Sequence, residues 1–303
     1  MTEFPDICPD ISPDICGDAF TKAKFKNSWQ KKSPNLSKFA LVVAEYRRYP
    51  LFRHKNPTLM ADLQKLYEGK AKIIYSTEDP EILLTHFKDD ATAFNALKRG
   101  TIIGKGEINC RMSTELFQLL EAKGIPTHWI DQPAPNLMRV RRVKIVPVEV
   151  VVRNIAAGSL CKQTGLPLGT VLKHPLVEFF YKNDELGDPL LTRDRLLLLE
   201  LATPEELDQL KAMTLQINEI LTEFFHQCGI TLVDFKLEFG IDVNDKLLLA
   251  DEISPDTCRL WDEAETDQTK RIMDKDRFRQ DLGQVESAYQ KVLERVLNSK
   301  TQG

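Results

Sequence analysis

The stretch Asp234-Phe-Lys-Leu-Glu-Phe-Gly240 alternates charged and apolar residues up to its final glycine. Side chains alternate between the two faces of a strand, so Asp234, Lys236 and Glu238 share one face. The phenylalanine and leucine side chains on the other face must pack into a core. Three ionisable groups on a half-buried strand are costly unless they are paired or bound to a ligand. The stretch therefore predicts a strand whose polar face carries either a salt-bridge network or a binding site.

A second predicted strand, residues 246–250, runs into Asp251-Glu-Ile-Ser-Pro-Asp-Thr-Cys-Arg-Leu-Trp-Asp262. If it pairs with the first strand, Glu238 and Asp251 come together. Mg²⁺ bound with a nucleotide prefers a few protein oxygens combined with phosphate oxygens. The two carboxylates therefore indicate a metal site, and a salt-bridge network with Lys236 is the alternative.

The motif Tyr67-Glu-Gly-Lys-Ala-Lys72 lies between two short predicted strands. Gly69 lets the backbone approach a ligand closely, and Lys70 and Lys72 project from alternate positions to the same face. Backbone N–H groups together with two ammonium groups suit a polyphosphate, whereas a turn with solvated lysines is the ordinary alternative. The chain contains neither a Walker A motif nor a G-x-G-x-x-G motif.

Two further segments combine polar and small residues. Asp89-Asp-Ala-Thr-Ala-Phe-Asn95, followed by Gly104-Lys-Gly106, is either a solvated turn or a mobile loop that folds over a substrate. A valine-rich strand ends at Arg153 and is followed by a small-residue turn that contains Ser159. A guanidinium beside a hydroxyl suits a carboxylate or phosphate, and a strand exit with a surface arginine is the alternative.

The remaining periodicity predicts an α+β chain in which a small β-rich part precedes a larger mixed part. Strands are expected over 66–68, 71–75, 82–87, 139–145, 148–152, 230–238 and 246–250, a loop over 88–106, and helices over 107–123, 203–228 and 285–296. Thr203-Pro-Glu-Glu206 is a strong helix start, with threonine at the N-cap and proline at the first helical position. Residues 192–199 match no motif and are expected to form a loop.

Bulk composition excludes several classes of protein. The 303 residues carry a formal net charge of −4 and 28% charged residues, so no large basic field for nucleic acid is expected. The six cysteines, at 8, 16, 110, 161, 228 and 258, form no C-x-x-C pair, which favours reduced cytosolic thiols over zinc or disulfides. No apolar run approaches the roughly 18 residues of a membrane helix. We therefore expect a cytoplasmic protein that binds neither a membrane nor nucleic acid.

Residues 1–59 differ from the rest because they are rich in proline and show little periodicity. They are a disordered or loosely docked extension, a targeting segment, or an artefact of a gene model whose true start is Met60. Four aspartates near the start disfavour the targeting segment. The expected organisation is therefore an extension at 1–59, a β-rich lobe at 60–146 and a mixed α/β lobe at 147–303.

Taken together and in this order, the motifs resemble those of the SAICAR synthetase family. The resemblance covers about residues 63–297. Its motifs are Tyr67–Lys72, the Asp89–Asn95 loop, Val146-Pro-Val-Glu-Val-Val-Val-Arg-Asn-Ile-Ala-Ala-Gly-Ser159, Val233–Gly240, Asp251–Asp262 and Met273-Asp-Lys-Asp-Arg-Phe-Arg279. Each motif is modest alone, but the ordered set is specific, and nothing in the family pattern matches residues 1–59.

The resemblance implies a two-lobed fold with ATP between the lobes, in which 60–146 is the ATP-binding lobe and 147–303 is the substrate and metal lobe. It implies a ligase of purine biosynthesis that joins L-aspartate to carboxyaminoimidazole ribonucleotide, with ATP converted to ADP and phosphate and with Mg²⁺ as cofactor. A homo-oligomer is expected. The residues carried over are Gly69, Lys70, Ala71, Lys72, Val146 and Val148 for ATP, Glu238 and Asp251 for Mg²⁺, Arg153, Ser159, Asp256 and Arg259 for the ribonucleotide, and Lys236, Lys182 and Asp188 for catalysis.

The implied mechanism begins with transfer of the ATP γ-phosphoryl to the imidazole carboxylate, because oxide is a poor leaving group for direct amide formation. The aspartate amine then attacks the acyl phosphate, and water must be excluded meanwhile. A small-molecule kinase of related shape and a non-catalytic nucleotide-binding protein are the competing hypotheses. A kinase would form ADP without aspartate, and a binding protein would tolerate loss of Glu238 or Asp251.

Overall fold

The alternating stretch forms the middle of strand β11 in a computed structural model that describes residues 63–93 and 97–299. β11 (Ile230–Ile241) is the centre of a six-stranded sheet with β8 (Lys144–Ile155), β9 (Val171–Tyr181), β10 (Leu190–Leu191), β12 (Leu247–Ala250) and β13 (Cys258–Asp262). The order is β10-β9-β8-β11-β12, and β13 also pairs with β11; all pairs are antiparallel. The expected pairing of the two polar strands is confirmed, since Glu238 lies opposite Ala250.

A second sheet comes from the first part of the described chain. It consists of β1 (Lys65–Glu68), β2 (Lys72–Ser76), β3 (Ile82–Phe87), β6 (Trp129–Ala134) and β7 (Leu137–Arg141), in the order β1-β2-β3-β7-β6. Helix α1 (Lys105–Ala122) packs against β3, β6 and β7 through a buried apolar face. β1 and β2 join through the Gly69 turn, so the lysine-containing motif lies at the end of a hairpin.

Five further α-helices belong to the second half: α2 (Ser159–Thr164), α3 (Arg193–Leu198), α4 (Pro204–Gln227), α5 (Asp276–Arg279) and α6 (Val285–Ser299). A short 3-10 helix spans Asp184–Leu186. The long helix α4 begins with the predicted capping box, in which Thr203 and Glu206 bond reciprocally. α4 packs against the six-stranded sheet and α6 packs against α1, so one apolar core extends from the first sheet to the second.

Three expectations about local structure are wrong. The segment 88–106 is not a simple loop, because β4 (Asp90–Ala93) and β5 (Lys98–Thr101) form a hairpin; Phe94 and Asn95 of the predicted loop lie outside the described residues. Residues 193–198 form α3, whose Thr192 N-cap accepts a bond from Arg195 N. These elements are only four to six residues long, and their apolar positions follow no clean period.

The third correction concerns Pro147, which does not divide two strands. β8 runs unbroken through it, and the pairing with β11 shifts register between Glu238 and Gly240, where Pro147 lies opposite. A proline cannot donate to the strand ladder and is tolerated where the ladder is irregular. The expected domain division at residue 146 falls inside β8 and stays a prediction, and residues 1–59 lie outside the described chain.

Candidate functional site

The polar faces of β8, β11 and the segment after β12 converge on one cluster of charged side chains. Glu238 lies opposite Glu149 on β8 and opposite Ala250 on β12, whose next residue is Asp251. We call the set Lys72, Glu149, Lys182, Lys236, Glu238, Asp251 and Glu252 the cleft cluster. Its four carboxylates and three lysines come from five separate segments of the chain. Residues 236–238 and 251–252 supply two members each, and the other three segments supply one member each. The sheet register therefore brings the cluster together.

Lysines connect the carboxylates of the cleft cluster. Lys236 Nζ donates to Glu149 at 2.8 Å and to Glu238 Oε1 at 2.7 Å. Lys182 donates to the other oxygen of Glu238. Lys72, from the first sheet, donates to Asp251 Oδ1 and lies 2.9 Å from Glu252. The side chains of the three lysines keep between 15% and 43% exposure, so the cluster is paired but partly open to solvent.

Mutual attraction keeps these groups charged. Burial alone would lower the pKa of Lys236, but the carboxylates of Glu238, Asp251 and Glu149 raise it well above its ordinary value. Burial would likewise raise the pKa of Asp251, but Lys72 and Lys236 hold it below the ordinary range. Lys236 and Asp251 are therefore charged at neutral pH, and the cluster contains one more carboxylate than lysine.

The two lysines of the Gly69 motif reach different partners. Gly69 N donates to Lys72 O at 2.8 Å and closes the turn. Lys72 enters the cleft cluster, whereas Lys70 Nζ pairs with Asp184 at 2.7 Å on the 3-10 helix. A cleft of about 430 Å³ opens beside the turn, between the β1–β2 hairpin, the β4–β5 hairpin and Asp184. The motif thus faces open space, as a ligand-binding turn requires.

Residues 182–188 form a compact turn. Asn183 N donates to Asp188 Oδ1 at 2.9 Å, and Asp188 N donates back to Asn183 O at 3.0 Å. Asp188 itself has a φ of 50°, in the left-handed region. The structure brings Lys182 into the cleft cluster but ties the Asp188 carboxylate to the turn backbone.

The two valines carried over for the adenine lie in different environments. Val148 is fully buried among core side chains. Val146 and Pro147 line a cleft of about 490 Å³, whose far wall is the segment between α3 and α4. This part of β8 is therefore accessible to a ligand only at its first residues.

Arg153, Ser159 and Arg259 form a second polar group beside the cleft cluster. Arg153 donates to Glu178 at 2.6 Å, to Asp234 at 3.1 Å and to Ser159 Oγ at 2.9 Å. Arg259 donates to the same oxygen of Asp234, at 2.7 Å. Arg153 is buried, whereas Ser159 is exposed and Arg259 is one-fifth exposed. Arg259 and Ser159 therefore present donors to the surface, and Arg153 supports them from below.

Gly158 permits this arrangement. Its φ is 55°, and a Cβ placed there would lie 2.4 Å from Arg259 Nη2. Any larger residue would displace the guanidinium and strain the backbone. The small-residue turn after Arg153 is thus explained by the close approach of Arg259.

Asp256 belongs to a separate, sealed group of side chains. Its Oδ1 accepts from Tyr289 at 2.8 Å, and its Oδ2 accepts from Lys105 at 3.1 Å and Lys275 at 3.3 Å. We call Lys105, Asp256, Lys275 and Tyr289 the Asp256 cluster. The aspartate and Lys105 side chains are 4% and 1% exposed. The structure therefore does not bring Asp256 together with Arg259 at the surface.

Sequence reasoning missed several contributors. Glu178, Asp276 and Glu252 hold the arginines and Lys72, and Lys105 is a buried partner of Asp256. Glu252 had a signal, because it follows Asp251 in the same motif. Asp276 and Lys105 also lie in motifs quoted above, whereas Glu178 lies in none. The sequence paired none of the three with its partner, since these partners lie between 17 and 151 residues away in the chain.

Two structural absences hold for residues 63–93 and 97–299. No group of three or more histidine, cysteine, aspartate or glutamate side chains there is arranged to hold a metal ion. Within the same ranges, no helix combines the length and apolar character that a membrane span needs. Any metal at Glu238 and Asp251 would thus need further ligands from a bound molecule or water.

Comparison with known proteins completes the description. The SAICAR synthetase family model matches residues 65–296. The chain is 72% identical over 235 residues to the phosphoribosylaminoimidazole-succinocarboxamide synthase of Nostoc punctiforme, covering 78% of this chain and 96% of that protein. It is 71% identical over 232 residues to that of Acaryochloris marina, covering 77% and 95%.

Solved structures agree. The crystal structure of the same synthase from Ehrlichia chaffeensis superposes with a TM-score of 0.74 at 46% identity, covering 77% of this chain and 98% of the other. A SAICAR synthetase in complex with ADP gives a TM-score of 0.72 at 46% identity, covering 76% and 96%. The matched region contains both sheets, the cleft cluster and the polar group of Arg153, Ser159 and Arg259. The chain therefore belongs to the SAICAR synthetase family.

Proposed function

We propose that the chain joins L-aspartate to carboxyaminoimidazole ribonucleotide with ATP, in an acyl phosphate mechanism at the cleft cluster. The ligase activity in purine biosynthesis follows from family membership, and a relative at 46% identity is described in complex with ADP. The observation that carries the proposal is the set of three partly exposed lysines paired with Glu238 and Asp251.

The first chemical step needs positive charge around a transferring phosphoryl group. Phosphoryl transfer is catalysed mainly by positioning and by electrostatic stabilisation of the equatorial oxygens. Lys72 and Lys236 reach the same carboxylate cluster from two different sheets. If a triphosphate entered between these two lysines, its oxygens would replace the carboxylates as their hydrogen-bond partners. Lys70 and the Gly69–Ala71 backbone would hold the outer phosphates.

Mg²⁺ fits the same place. Oδ2 of Asp251 accepts no hydrogen bond from residues 63–93 and 97–299, and the cluster carries excess negative charge. Glu238 and Asp251 would hold the ion together with phosphate oxygens and water, which is the ligand set that Mg²⁺ prefers. Bound there, Mg²⁺ would supply charge neutralisation for the phosphoryl group.

Arg259 and Ser159 would bind the phosphate of the ribonucleotide. Both present donors at the surface, and Arg153 fixes Ser159 Oγ at 2.9 Å. A planar guanidinium matches phosphate oxygens in geometry and stays charged at all relevant pH values. Asp256 would act on this substrate indirectly, through Lys275, because its own oxygens are occupied.

In the second step, the aspartate amine must attack the acyl phosphate before water hydrolyses it. Lys182 lies beside Glu238 and begins the 182–188 turn. We therefore assign Lys182 and Lys236 to neutralise the departing phosphate. Asp188 would orient this turn through its bond to Asn183 N. Val146 would contact the adenine at the start of β8 with Val148 packed behind it. A homo-oligomer and a cytoplasmic location also stay predictions.

The test follows ADP and amide product together, with ATP, Mg²⁺, the ribonucleotide and aspartate. We expect one-to-one formation that stops when either co-substrate is omitted. Glu238→Gln and Asp251→Asn should each lower the rate about 100-fold or more, since they remove preorganised charge at the reacting centre. Glu219→Gln, an exposed carboxylate on α4, is the matched control and should leave the rate unchanged.

Two outcomes would contradict the proposal. ADP released without aspartate and without amide would indicate a kinase. Full activity of both carboxylate variants would remove the metal role of the cleft cluster, even if the ligase reaction itself persisted.

A further inference from the structure

We infer that Asp274 is a positioning residue whose carboxylate ties the strand that carries Arg259 to the helix that carries Asp276, the counter-ion of Arg259. This role presupposes the one proposed for Arg259 in binding the phosphate of the ribonucleotide. Arg259 Nε donates to Asp276 Oδ2 at 2.8 Å. A guanidinium meets phosphate oxygens through a planar fork of donors, so the orientation of that plane decides how well a phosphate is bound.

Two carboxylates hold the guanidinium of Arg259. Asp234, on the central strand β11, accepts from Nη1 at 2.7 Å. Asp276 accepts from Nε and is the first residue of α5, a helix of only four residues. Asp234 is fixed by the pairing of β11 with β8 and β13. Because α5 belongs to neither sheet, the orientation of the guanidinium depends on what fixes the start of α5.

The carboxylate of Asp274 attaches the start of α5 to β13, with one oxygen bonded on each side. Oδ2 accepts from the backbone N–H of Leu260, the residue after Arg259, at 2.8 Å. Oδ1 accepts from the backbone N–H of Asp276, also at 2.8 Å. The planar carboxylate therefore sets the separation between the backbone beside Arg259 and the backbone of its counter-ion.

The bond to Leu260 replaces a rung of a strand ladder. The segment before α5 runs antiparallel to β13, and Met273 N donates to Leu260 O at 2.9 Å. A regular ladder would return the Leu260 N–H to the carbonyl of Met273, but the side chain of Asp274 accepts it instead. Lys275 N then donates to Pro255 O at 3.0 Å, before β13 begins. Asp274 is thus the last residue to bond the backbone of β13 before the chain enters α5.

The identity of residue 274 fits this role. Asp274 is fully buried, and burial together with the nearby carboxylate of Asp276 raises the pKa of Asp274 above its ordinary value. A carboxylate at this position is therefore costly. Asparagine has the same shape but only one acceptor oxygen, so it could accept from only one of the two N–H groups. The carboxylate is the group that satisfies both.

Loss of the bond to Leu260 would let the start of α5 move relative to β13. Asp276 would then move away from Arg259 Nε, and the guanidinium could turn about its remaining contact with Asp234. Binding of the ribonucleotide should weaken as a result. ATP, which is assigned to the Gly69 turn and the cleft cluster, should bind as before.

The test compares Asp274→Asn with the matched control Asp262→Asn in the full chain. Asp262 is also a buried aspartate at β13, but it pairs with Lys291 and Arg295 of α6. The ligase assay measures KM for the ribonucleotide and for ATP separately, and unfolding in urea measures stability.

We expect Asp274→Asn to raise KM for the ribonucleotide about tenfold or more, the effect of losing one hydrogen bond to a charged group. Its KM for ATP should be unchanged. Asp262→Asn should lower stability while both KM values are kept. An unchanged KM for the ribonucleotide in Asp274→Asn would overturn the inference, as would an equal rise in both KM values.

Two further variants separate positioning from a general loss of structure. Asp274→Ser keeps a hydroxyl that can accept from Asp276 N in the turn but is too short to reach Leu260 as well, so it should raise KM as asparagine does. It also serves if the asparagine variant does not fold. In an Arg259→Lys background, Asp274→Asn should raise KM for the ribonucleotide no further, because the guanidinium is gone. A full additional rise there would show a merely structural role.

A crystal structure of Asp274→Asn tests the geometry without the ligase reaction. We expect the contact between Arg259 Nε and Asp276 to lengthen or break. An unchanged contact would overturn the inference whatever the kinetics show. Arg259→Lys with an unchanged KM for the ribonucleotide would instead overturn the substrate role of Arg259 in the proposed function.

Discussion

The cleft cluster and the Asp256 cluster are built from the same residue types, yet they differ in access to solvent. Lys72, Lys182 and Lys236 keep between 15% and 43% exposure. In the Asp256 cluster, Lys105 is 1% exposed and Tyr289 is fully buried, and only Lys275 keeps 14% exposure. Lysines that remain partly hydrated can exchange one carboxylate for a phosphate at small cost, whereas a sealed lysine can only keep the partner it has.

The two clusters differ in the solvent exposure of their lysines, which shows that charged residues on a strand or in a motif do not identify a binding site by themselves. The Asp256 cluster joins the start of α1, the 251–262 motif and α6, three segments that share the apolar core. Its burial suits a structural role. The cleft cluster joins two sheets across an opening, which suits ligand exchange.

The largest effect that would sharpen this comparison is expected for Lys105→Met. Breaking a buried ion pair typically costs about 3–5 kcal/mol of unfolding free energy, and we expect the lower end of this range because Asp256 keeps Lys275 and Tyr289 as donors. Urea unfolding of the full chain measures it, with the exposed Lys211→Met on α4 as matched control. Affinity of the folded protein for magnesium-bound ADP should be kept. A stable variant with impaired nucleotide binding would reverse the roles assigned to the two clusters.

The opposite result is expected for Lys72→Met. The turnover rate should fall about 100-fold, the usual cost of one preorganised electrostatic contact at a reacting centre. The unfolding free energy should change less than for Lys105→Met, because Lys72 and Asp251 keep 15% and 20% exposure whereas Lys105 keeps 1%. Lys65→Met, on the exposed strand β1, is the control. If stability falls as far as in Lys105→Met while turnover persists, the cleft cluster is structural too.

The smallest effect comes from an exposed pair that serves as a baseline for both clusters. His226 Nδ1 lies 2.9 Å from Glu263, and this hydrogen bond and charge raise the pKa of His226 above its usual 6.5. A raised folded pKa contributes stability that is present below pH 6.5 and lost as pH rises through the folded value. The contribution should be slight, since both groups are hydrated and screened.

His226→Gln should therefore flatten the stability profile between about pH 6 and about pH 8. Urea unfolding at both pH values and at two salt concentrations measures the change. The difference from the unchanged chain should shrink at high salt. A salt-independent difference would show that even this exposed pair behaves like the sealed Asp256 cluster.

Much of the fold was predictable because local patterns are strong where one face of an element is buried. The expected strand at 82–87 coincides with β3, and the capping box at Thr203 begins α4 as predicted. The β4–β5 hairpin and α3 were not predictable, since their apolar positions follow no clean period. Continuity of β8 through Pro147 depended on a register shift in its partner strand.

The candidate site divides in the same way. The sequence by itself determined the family, the alternation that puts Lys236 and Glu238 on one face, and the glycine turn that carries Lys70 and Lys72. The alternation and the glycine turn depend on neighbours one to four residues apart, and the family depends on the order of such local motifs, so all three can be read from the sequence. Only the tertiary structure decided that Lys72 meets Asp251 and that Asp256 is buried beside Lys105. Such contacts join residues tens to hundreds of positions apart, and their distances and solvent access are fixed by sheet register and packing.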